Sequence, residues 1–327
     1  MGMPNPRRKR SIQGGIPAEY SRFANAALVA MVNIKQLTGK IHDSWTRGQS
    51  RKRPGRYDFL MLSLIFAAIE VVSLNVRYDN LSDGQNSWPH RSSTVQRYLV
   101  ESNADFIGLQ EVLPSQLSDL QLGLSSYNAI SRTREADEKK GESTPLFFHR
   151  DRWRIDDAHQ GTIWLSTQPN KPGSKSWDSS LPRICTWGRF ERTGAGEPQA
   201  IWVMNTHFDH RGSTARLKSA RLIRQKVEQR PKEMIHEPVI VLGDLNTPPG
   251  SPPILALGMA DALRESTSGT WNGWDTTNRA GPRIDFILSR DLETLLGKVD
   301  FLTTKEERPA SDHWPIRAVF RALRRPY

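Results

Sequence analysis

The sequence predicts an α/β fold, and two of its patterns support this prediction. From residue 60 onward, short runs rich in β-branched and aromatic residues alternate with stretches whose apolar residues recur at helical spacing. No linker and no internal repeat divides residues 60–327, so the alternation favours one domain over two. We place this domain at residues 58–327 and a basic N-terminal extension without predicted structure at residues 1–57.

The two kinds of run predict the following elements. Strands are expected at 68–76, 105–110, 127–131, 144–149, 161–165, 184–191, 200–206, 238–243, 283–289, 297–303 and 315–321. Helices are expected at 90–102, 114–123, 213–230 and 251–257. The longest helix begins at Ser213 and Thr214, whose hydroxyl groups suit a helix N-cap, and its apolar residues recur on one face.

The positive charge of the chain is concentrated near its N-terminus. The whole chain has 46 Lys+Arg and 35 Asp+Glu, a net charge of +11. Residues 1–57 hold 12 of the basic and 2 of the acidic residues, which leaves 34 and 33, a net of +1, for residues 58–327. The basic character of the chain is therefore no argument that the predicted domain binds nucleic acid.

Cysteine content and hydropathy exclude several classes of protein. The single cysteine, Cys185, excludes an intrachain disulfide framework and a zinc site built from cysteines. No apolar run reaches the roughly 18 residues that a membrane span needs. The single cysteine and the lack of a clear secretory signal predict an intracellular protein of the cytoplasm or nucleus and do not favour secretion. Between these two compartments, the basic run at residues 6–10 resembles a nuclear-import signal. A nucleic-acid-binding tail, an organelle transit segment and an unstructured extension all remain open for residues 1–57.

Polar residues suited to catalysis stand at the ends of several predicted strands. They are Asn75, Glu111, His207, Asp244 with Asn246, Asp285, and the pair Asp312 and His313. Side chains at strand ends can converge on one rim of a sheet, where α/β proteins commonly bind ligands. Each residue alone has an ordinary structural explanation, such as a turn or a satisfied histidine. The recurrence of the pattern along the chain favours a functional site.

The residue types at these positions suit phosphate ester hydrolysis. Carboxylate and amide oxygens are ligands for Mg²⁺ or Mn²⁺, and we assign the metal to Glu111 with Asn75 beside it. Asp244 fits the base that orients a water molecule, with Asn246 assisting it.

The remaining residues of this set suit roles around the phosphate group. His207 and His313 fit hydrogen-bond donors to a phosphate oxygen, and Asp312 would fix the tautomer of His313. Asp285 lies in an apolar strand, where an unpaired carboxylate would be costly.

In their order along the chain, these segments resemble the endonuclease/exonuclease/phosphatase superfamily over about residues 68–322. The matching motifs are Leu74-Asn75-Val76-Arg77, Leu109-Gln110-Glu111-Val112, Asn205-Thr206-His207, Gly243-Asp244-Leu245-Asn246, Arg283-Ile284-Asp285-Phe286-Ile287 and Ser311-Asp312-His313. The resemblance implies a four-layer αββα sandwich of two mixed β-sheets flanked by helices, with the active site at one end. It also implies that His313 is oriented by Asp285 or supported by Asp312.

A finer resemblance is to a microbial and fungal branch of the superfamily near the carbon-catabolite-repressor-type deadenylases. It rests on residues 75–91, 164–166, 177–187 and 207–216. It implies that the following residues bind substrate: Arg77, Arg183, Asn205, Asp209, Arg211, Arg216 and Glu142. A surface ion pair is an equally good explanation for each arginine. Residues 131–140 depart from the branch pattern, which puts the role of Glu142 in question.

These observations predict a Mg²⁺- or Mn²⁺-dependent enzyme that hydrolyses phosphate esters by in-line attack of water. By family analogy the first expectation is a 3′-5′ RNA exonuclease-like phosphodiesterase acting on single-stranded RNA. The alternative is a phosphatase or phosphodiesterase of small molecules such as sugar or inositol phosphates, which the net charge of +1 over residues 58–327 favours. A catalytically dead nucleic-acid-binding protein ranks below both. The sequence predicts no oligomeric state.

Overall fold

The computed structural model describes residues 68–323, which form twelve strands and four α-helices. The predicted extension at residues 1–57 lies outside the described residues. The strands are β1 (Ile69–Asn75), β2 (Phe106–Gln110), β3 (Tyr127–Ile130), β4 (Leu146–His149), β5 (Trp153–Trp164), β6 (Ile184–Arg192), β7 (Ala200–His207), β8 (Val239–Asp244), β9 (Ala260–Asp261), β10 (Asp285–Arg290), β11 (Leu292–Val299) and β12 (Ile316–Ala322). The helices are α1 (Ser92–Ser102), α2 (Pro114–Gly123), α3 (Ser213–Glu228) and α4 (Pro252–Leu257).

The strands form two six-stranded mixed sheets. The first sheet has the order β11-β12-β1-β2-β4-β3 and the second has the order β5-β6-β7-β8-β10-β9. Each sheet has one parallel pair near its centre, β1 with β2 and β7 with β8, and its other pairs are antiparallel. The two strands of a parallel pair end on the same side, so each sheet brings two strand ends together at one edge.

Three apolar clusters define four layers. The first cluster lies between the sheets, where Val71 and Phe106 of one sheet meet Val203 and Leu242 of the other. The second packs α3 and α4 on the outer face of the second sheet, and the third packs α1 and α2 on the outer face of the first. The fold is therefore the αββα sandwich that the resemblance implied. Its central strands are buried on both faces, which explains their nearly continuous apolar sequences.

The predicted strands that differ from the structure lie at sheet edges. The strand predicted at 161–165 covered only the end of β5. The strand predicted at 297–303 overlapped only the last three residues of β11. The short edge strand β9 was not predicted at all. Edge strands expose much of their surface, so their sequences lack the apolar run on which the prediction relied. The four helices agree with their predicted ranges to within two residues at each end.

The start of α3 differs from its prediction in one detail. Ser213 and Thr214 lie inside the helix, and its N-cap residue, Gly212, makes no side-chain cap. The cap comes from another segment, because the carboxylate of Asp178 accepts the backbone N–H groups of Thr214 at 3.1 Å and Ala215 at 2.6 Å. No helix among residues 68–323 is long and apolar enough to cross a membrane.

Candidate active site

The carboxyl ends of the central strands bring the predicted polar residues together. In the first sheet, Asn75 pairs in register with Gln110, so Asn75 and the following Glu111 share one edge. In the second sheet, Asp244 pairs with His207 on one side and with Asp285 on the other. Because the two sheets pack face to face, these two groups of side chains meet at one end of the sandwich.

Asn75 links the carboxylates from the two sheets. Its amide nitrogen donates to Glu111 Oε1 at 3.0 Å and to Asp244 Oδ2 at 3.1 Å. Its amide oxygen accepts the backbone N–H of Arg77 at 3.0 Å, and Glu111 Oε2 accepts the backbone N–H of Tyr78 at 3.2 Å. These bonds fix both carboxylates in place before any ligand binds.

The backbone leaves regular geometry directly after the strands that carry the site. Arg77, Glu111 and Asn246 all have positive φ, at 56°, 61° and 47°, a conformation that is uncommon for residues with side chains. Gly243 has φ 137°, and a Cβ there would lie 1.8 Å from the carbonyl oxygen of Thr206. Only glycine fits at this position of β8, where the strand runs beside β7 and pairs Asp244 with His207.

His313 and Asp285 form a buried hydrogen-bonded pair. His313 Nδ1 lies 2.9 Å from Asp285 Oδ2, and Nε2 lies 3.9 Å from Asp244 Oδ2. Burial by itself lowers the pKa of His313, but the carboxylates of Asp285 and Asp244 outweigh it and raise the pKa well above its ordinary value. The imidazole is therefore protonated at neutral pH and presents a positive charge to the site. The predicted partner Asp312 does not bond to the ring.

His207 has the opposite electrostatic character. Burial and the nearby guanidinium groups of Arg183 and Arg134 lower its pKa well below the ordinary value, so its ring is neutral. Its Nε2 lies 3.0 Å from the amide nitrogen of Asn246 and 3.4 Å from Asp244 Oδ2. The site therefore holds one charged and one neutral imidazole beside the same carboxylate.

The chemistry of the site fits a divalent cation. Burial and the adjacent Asp285 raise the pKa of Asp244 to about 7, which means that they destabilise its ionised carboxylate. A nearby cation would stabilise that carboxylate. Asp285 Oδ1 is buried without a hydrogen-bond partner among the described residues. Asp244, Asp285 and His313 place one potential ligand atom each within 4.8 Å of one another, and this group could hold a metal ion.

Oxygen atoms are the ligands that suit a hard metal such as Mg²⁺ or Mn²⁺. Asp244 and Asp285 supply carboxylate oxygens, and Glu111 lies next to Asp244 through their shared contact with Asn75. Asn75 donates from its amide nitrogen to both Glu111 and Asp244, and its amide oxygen accepts the backbone N–H of Arg77.

A small pocket opens beside this group of residues. Its volume is about 10 Å³, room for about one water molecule, and Glu111, Arg134, Glu142, Arg183 and His207 contribute to its lining. Arg134 donates to Glu142 Oε2 at 2.7 Å, and both arginines are almost fully buried. Burial and the nearby Glu111 raise the pKa of Glu142, while Arg134 opposes the shift. Glu142 thus lies in the site, although the sequence before it departs from the branch pattern.

Asp209 organises the loops around the site rather than facing into it. Its carboxylate accepts the backbone N–H groups of Ser180 at 3.0 Å and Gly212 at 2.7 Å, and the Ser180 hydroxyl at 2.7 Å. Arg216 donates to the Asp209 carbonyl oxygen at 2.8 Å. The exposed Arg211 makes no side-chain hydrogen bond within residues 68–323.

Two further residues that we expected to bind substrate are held by the protein itself. The Asn205 amide nitrogen donates to the carbonyl oxygens of Leu109 at 2.8 Å and Pro145 at 2.7 Å, which ties the two sheets together. The guanidinium group of Arg77 forms two bonds to Asp83, at 3.0 and 3.1 Å. Arg77 keeps about a quarter of its side chain exposed and Asn205 none.

Sequence reasoning gave no role to two buried arginines near the site. Arg134 lies in the charged stretch at 131–140, where composition alone indicates a solvated loop. Arg91 donates to the backbone carbonyl oxygens of Val76, Arg77 at 2.7 Å and Ala310 at 3.2 Å, which joins the segments that follow β1 and precede β12. No local sequence signal distinguishes such an arginine from an exposed one, because its partners are backbone atoms from distant segments.

The fold and the site together define a phosphoesterase-type αββα protein. The sequence pattern of the Endonuclease/Exonuclease/phosphatase family matches residues 72–313, and this chain belongs to that family. Members of the family are hydrolases that act on phosphate esters, and they typically use divalent metals.

Solved structures of other proteins resemble the chain along most of its length. A family member from Bacteroides vulgatus is 30% identical, with a TM-score of 0.70, and the match covers 79% of this chain and 100% of that one. The mannosyl-6-phosphatase of Bacteroides thetaiotaomicron is 29% identical, with a TM-score of 0.70 and coverage of 77% and 99%. These structures share both the fold and substantial sequence with this chain.

A curated relative matches a shorter region. Carbon catabolite repressor protein 4 homolog 2 of Arabidopsis thaliana is 24% identical over an alignment 212 positions long, which covers 54% of this chain. The chain spans about a third of that relative's length, 34%. The match agrees with the resemblance to the deadenylase-type branch.

Proposed function

We propose that this protein is a divalent-metal-dependent phosphatase of small, polyhydroxylated phosphate esters, with sugar phosphates as the substrate class. The observation that carries this proposal is the cluster of side chains beside Asp244, where the Arg134–Glu142 pair and Arg183 lie next to Glu111 and His207. Guanidinium groups bind phosphate and hydroxyl oxygens, and a carboxylate accepts hydrogen bonds from hydroxyl groups.

Different residues hold the metal and accept the proton of water. Glu111, oriented by Asn75, would hold Mg²⁺ or Mn²⁺ together with carboxylate oxygen from Asp244 or Asp285. The metal would neutralise charge on the phosphate oxygens. Asp244 accepts the proton of the attacking water, and Asn246 keeps its carboxylate in place through the backbone N–H bond at 2.9 Å.

The two histidines act on the phosphate group. Protonated His313, held by Asp285, donates from Nε2 to a phosphate oxygen and stabilises the charge that develops in the transition state. Neutral His207 contributes hydrogen bonding without a second positive charge. Water attacks phosphorus in line with the bond to the leaving alcohol, which departs from the opposite side.

Three observations favour small esters over a polymer. The acidic Glu142 lies beside Glu111 and His207, where it would repel the phosphate groups of a polyanionic strand. Residues 58–327 carry a net charge of only +1 from 34 basic and 33 acidic residues. A relative that is 29% identical over 77% of this chain is a mannosyl-6-phosphatase. The RNA exonuclease activity expected from the sequence stays a prediction, and the experiment below tests it too.

The test is a hydrolysis panel with the purified full-length protein. The panel contains mannose 6-phosphate, glucose 6-phosphate, bis-p-nitrophenyl phosphate, a labelled single-stranded oligoadenylate and single-stranded DNA, each with Mg²⁺, with Mn²⁺ and with EDTA. We expect turnover of a sugar phosphate that EDTA abolishes. Asp244→Asn should lower kcat by at least about 100-fold, because the proton acceptor is lost.

Two further variants sharpen the result. Glu111→Gln should raise the metal concentration needed for half-maximal activity, and the exposed Asp151→Asn should behave like the natural protein. Stepwise shortening of the oligoadenylate alone, lost in Asp244→Asn, would replace the sugar-phosphate proposal with the exonuclease. Hydrolysis that is insensitive to EDTA and unchanged in Asp244→Asn would refute both.

A further inference from the structure

A second polar groove lies on the outer face of the protein, along α3. The helix forms one wall, and the segment of residues 166–177 that follows β5 forms the other. Its volume is about 620 Å³, within the range of roughly 300–1,000 Å³ that is typical of ligand sites. It shares no lining residue with the pocket beside Asp244.

The groove is strongly positive. Lys218, Arg221 and Lys226 line it, and no aspartate or glutamate does. Within residues 68–323, no carboxylate forms an ion pair with any of the three. Basic side chains on a protein surface commonly have acidic neighbours, so three unpaired cations in one concave site indicate an anionic ligand.

The helix sets the spacing of these charges. Lys218 and Arg221 are three residues apart and therefore neighbours on one face of α3. Lys226 lies eight residues after Lys218, which corresponds to about 12 Å along the helix axis at 1.5 Å per residue. Its ammonium nitrogen lies 3.6 Å from the ring centroid of Trp187, and this contact limits where the charge can move.

Uncharged side chains complete the groove. The amide side chains of Asn170, Gln225 and Gln229 line it without a hydrogen bond to another residue that the structure describes, so their donors and acceptors are open to a ligand. Trp177 contributes a half-buried ring, and its positive φ of 57° shows that the loop holds it in an uncommon conformation.

We propose that the groove between α3 and residues 166–177 binds a multiply phosphorylated ligand, with its phosphate groups on Lys218, Arg221 and Lys226. The three charges are spread over a length that suits two or three phosphates better than one. The arginine adds a bidentate fork that matches phosphate geometry, and the amides and the Trp177 ring contact the uncharged part of the ligand. This site goes beyond the proposed hydrolytic function and does not depend on it.

Isothermal titration calorimetry on the full-length protein tests the proposal. The probe is inorganic tripolyphosphate in buffer with EDTA, which keeps metal-dependent binding at the catalytic residues out of the measurement. The groove variant is Lys218→Gln with Arg221→Gln. The matched control is Lys232→Gln with Lys305→Gln, which removes the same charge from exposed positions outside the groove.

We expect the groove variant to bind tripolyphosphate at least about 10-fold more weakly than the natural protein, and the control to bind it unchanged. Equal affinities in all three proteins, or no binding by the natural protein, would overturn the proposal. Hydrolysis by both variants should match the natural protein, which shows that the fold is intact and separates this result from the test of Asp244.

A second titration identifies the source of the phosphates. A single-stranded oligoadenylate that binds more tightly than tripolyphosphate, with a salt dependence that the groove variant reduces, would assign the groove to nucleic acid. Tripolyphosphate binding without oligoadenylate binding would assign it to a small organic phosphate. Either result supports the phosphate site, provided that the groove variant weakens it.

Discussion

At the scale of single residues, the site depends on carboxylates that would be unfavourable elsewhere in the protein. Asp285 is 1% exposed, and one of its oxygens has no hydrogen-bond partner among the described residues. Its other oxygen holds His313 at 2.9 Å and keeps that ring protonated. Burial of a charge is costly unless it is paired, so this pair is best explained by its role in the site.

The pair should act as one unit in catalysis. Asp285→Asn and His313→Gln should each lower kcat by about 100-fold or more, because either change removes the positive charge near the phosphate. The kcat of the double variant should be little lower than that of the less active single variant, because the effects of residues that act together are not additive. Steady-state kinetics on the sugar phosphate measures this cycle. Losses that simply multiply would show that the two residues act independently.

At the scale of structural elements, Asp209 fastens the loop before β6 to the turn before α3. Burial alone raises its pKa, but hydrogen bonds from Gly212, Ser180 and Arg211 outweigh burial and lower the pKa below its ordinary value. A carboxyl group whose pKa is lower in the folded state stabilises the protein above its unfolded-state pKa, and this contribution is lost as the pH falls.

Asp209→Asn should therefore lower the free energy of unfolding by about 2 kcal/mol at pH 7, the scale of hydrogen bonds to a charged group. The difference between the two proteins should narrow below about pH 4, near the unfolded-state pKa of aspartate. Urea denaturation of both proteins at pH 7 and below pH 4 measures the difference in unfolding free energy at each pH. A difference that does not change with pH would show that the charge of Asp209 contributes nothing.

The segment before β10 places an exposed aromatic ring beside the site. Trp271 pairs with His313 in an antiparallel bridge, so their side chains point to the same face, and Trp271 is 40% exposed. Asn272 donates its backbone N–H to the Asp312 carbonyl oxygen at 2.8 Å, which holds the two segments together. We therefore expect this ring to contact the leaving group of a bound ester.

Trp271→Ala should raise KM for the sugar phosphate by up to about 10-fold, which corresponds to an aromatic contact of about 1.4 kcal/mol, and should leave kcat within about twofold. The control is Leu255→Ala on α4, another exposed apolar side chain, at 67% exposure. Steady-state kinetics on both variants measures their KM and kcat values, and Leu255→Ala should leave both unchanged. An unchanged KM in Trp271→Ala would remove Trp271 from substrate binding.

At the scale of the whole molecule, the two sheets are joined by polar contacts as well as by the apolar core. Asn205 bonds to carbonyl oxygens of the opposite sheet, and its side-chain oxygen accepts Gln110 Nε2 at 2.8 Å. A Cβ at Gly108 would lie 2.8 Å from Asn205 Cγ, so glycine is required where the sheets approach. This link fixes the distance between Glu111 on one sheet and Asp244 on the other.

Removal of residues 1–57 should leave hydrolysis of the sugar phosphate within about twofold of the full chain. The reason is that every residue we place in the site lies between Asn75 and His313, and the family match covers residues 72–313. Matched kinetics on both proteins provides the measurement. Loss of turnover in the shortened protein would show that residues 1–57 contribute to the site. Absent turnover in both proteins, with RNA binding that follows the extension, would favour the nucleic-acid-binding interpretation.

The sequence by itself determined the α/β class, the helices, the central strands and most of the polar residues that meet at the site. These features depend on local signals: apolar runs, helical spacing and the side chains that directly follow a strand. The resemblance of the ordered motifs then supplied the four-layer arrangement, which the structure confirms.

Only the tertiary structure decided which of those residues face a ligand and which hold the protein together. It paired His313 with Asp285 rather than Asp312, buried Asn205 between the sheets, and turned Asp209 toward backbone N–H groups. It also brought Arg134 beside Glu142 and arranged three unpaired cations along one groove. A side chain's role depends on its partners, and here these come from segments far apart in the sequence, so no local pattern could have revealed them.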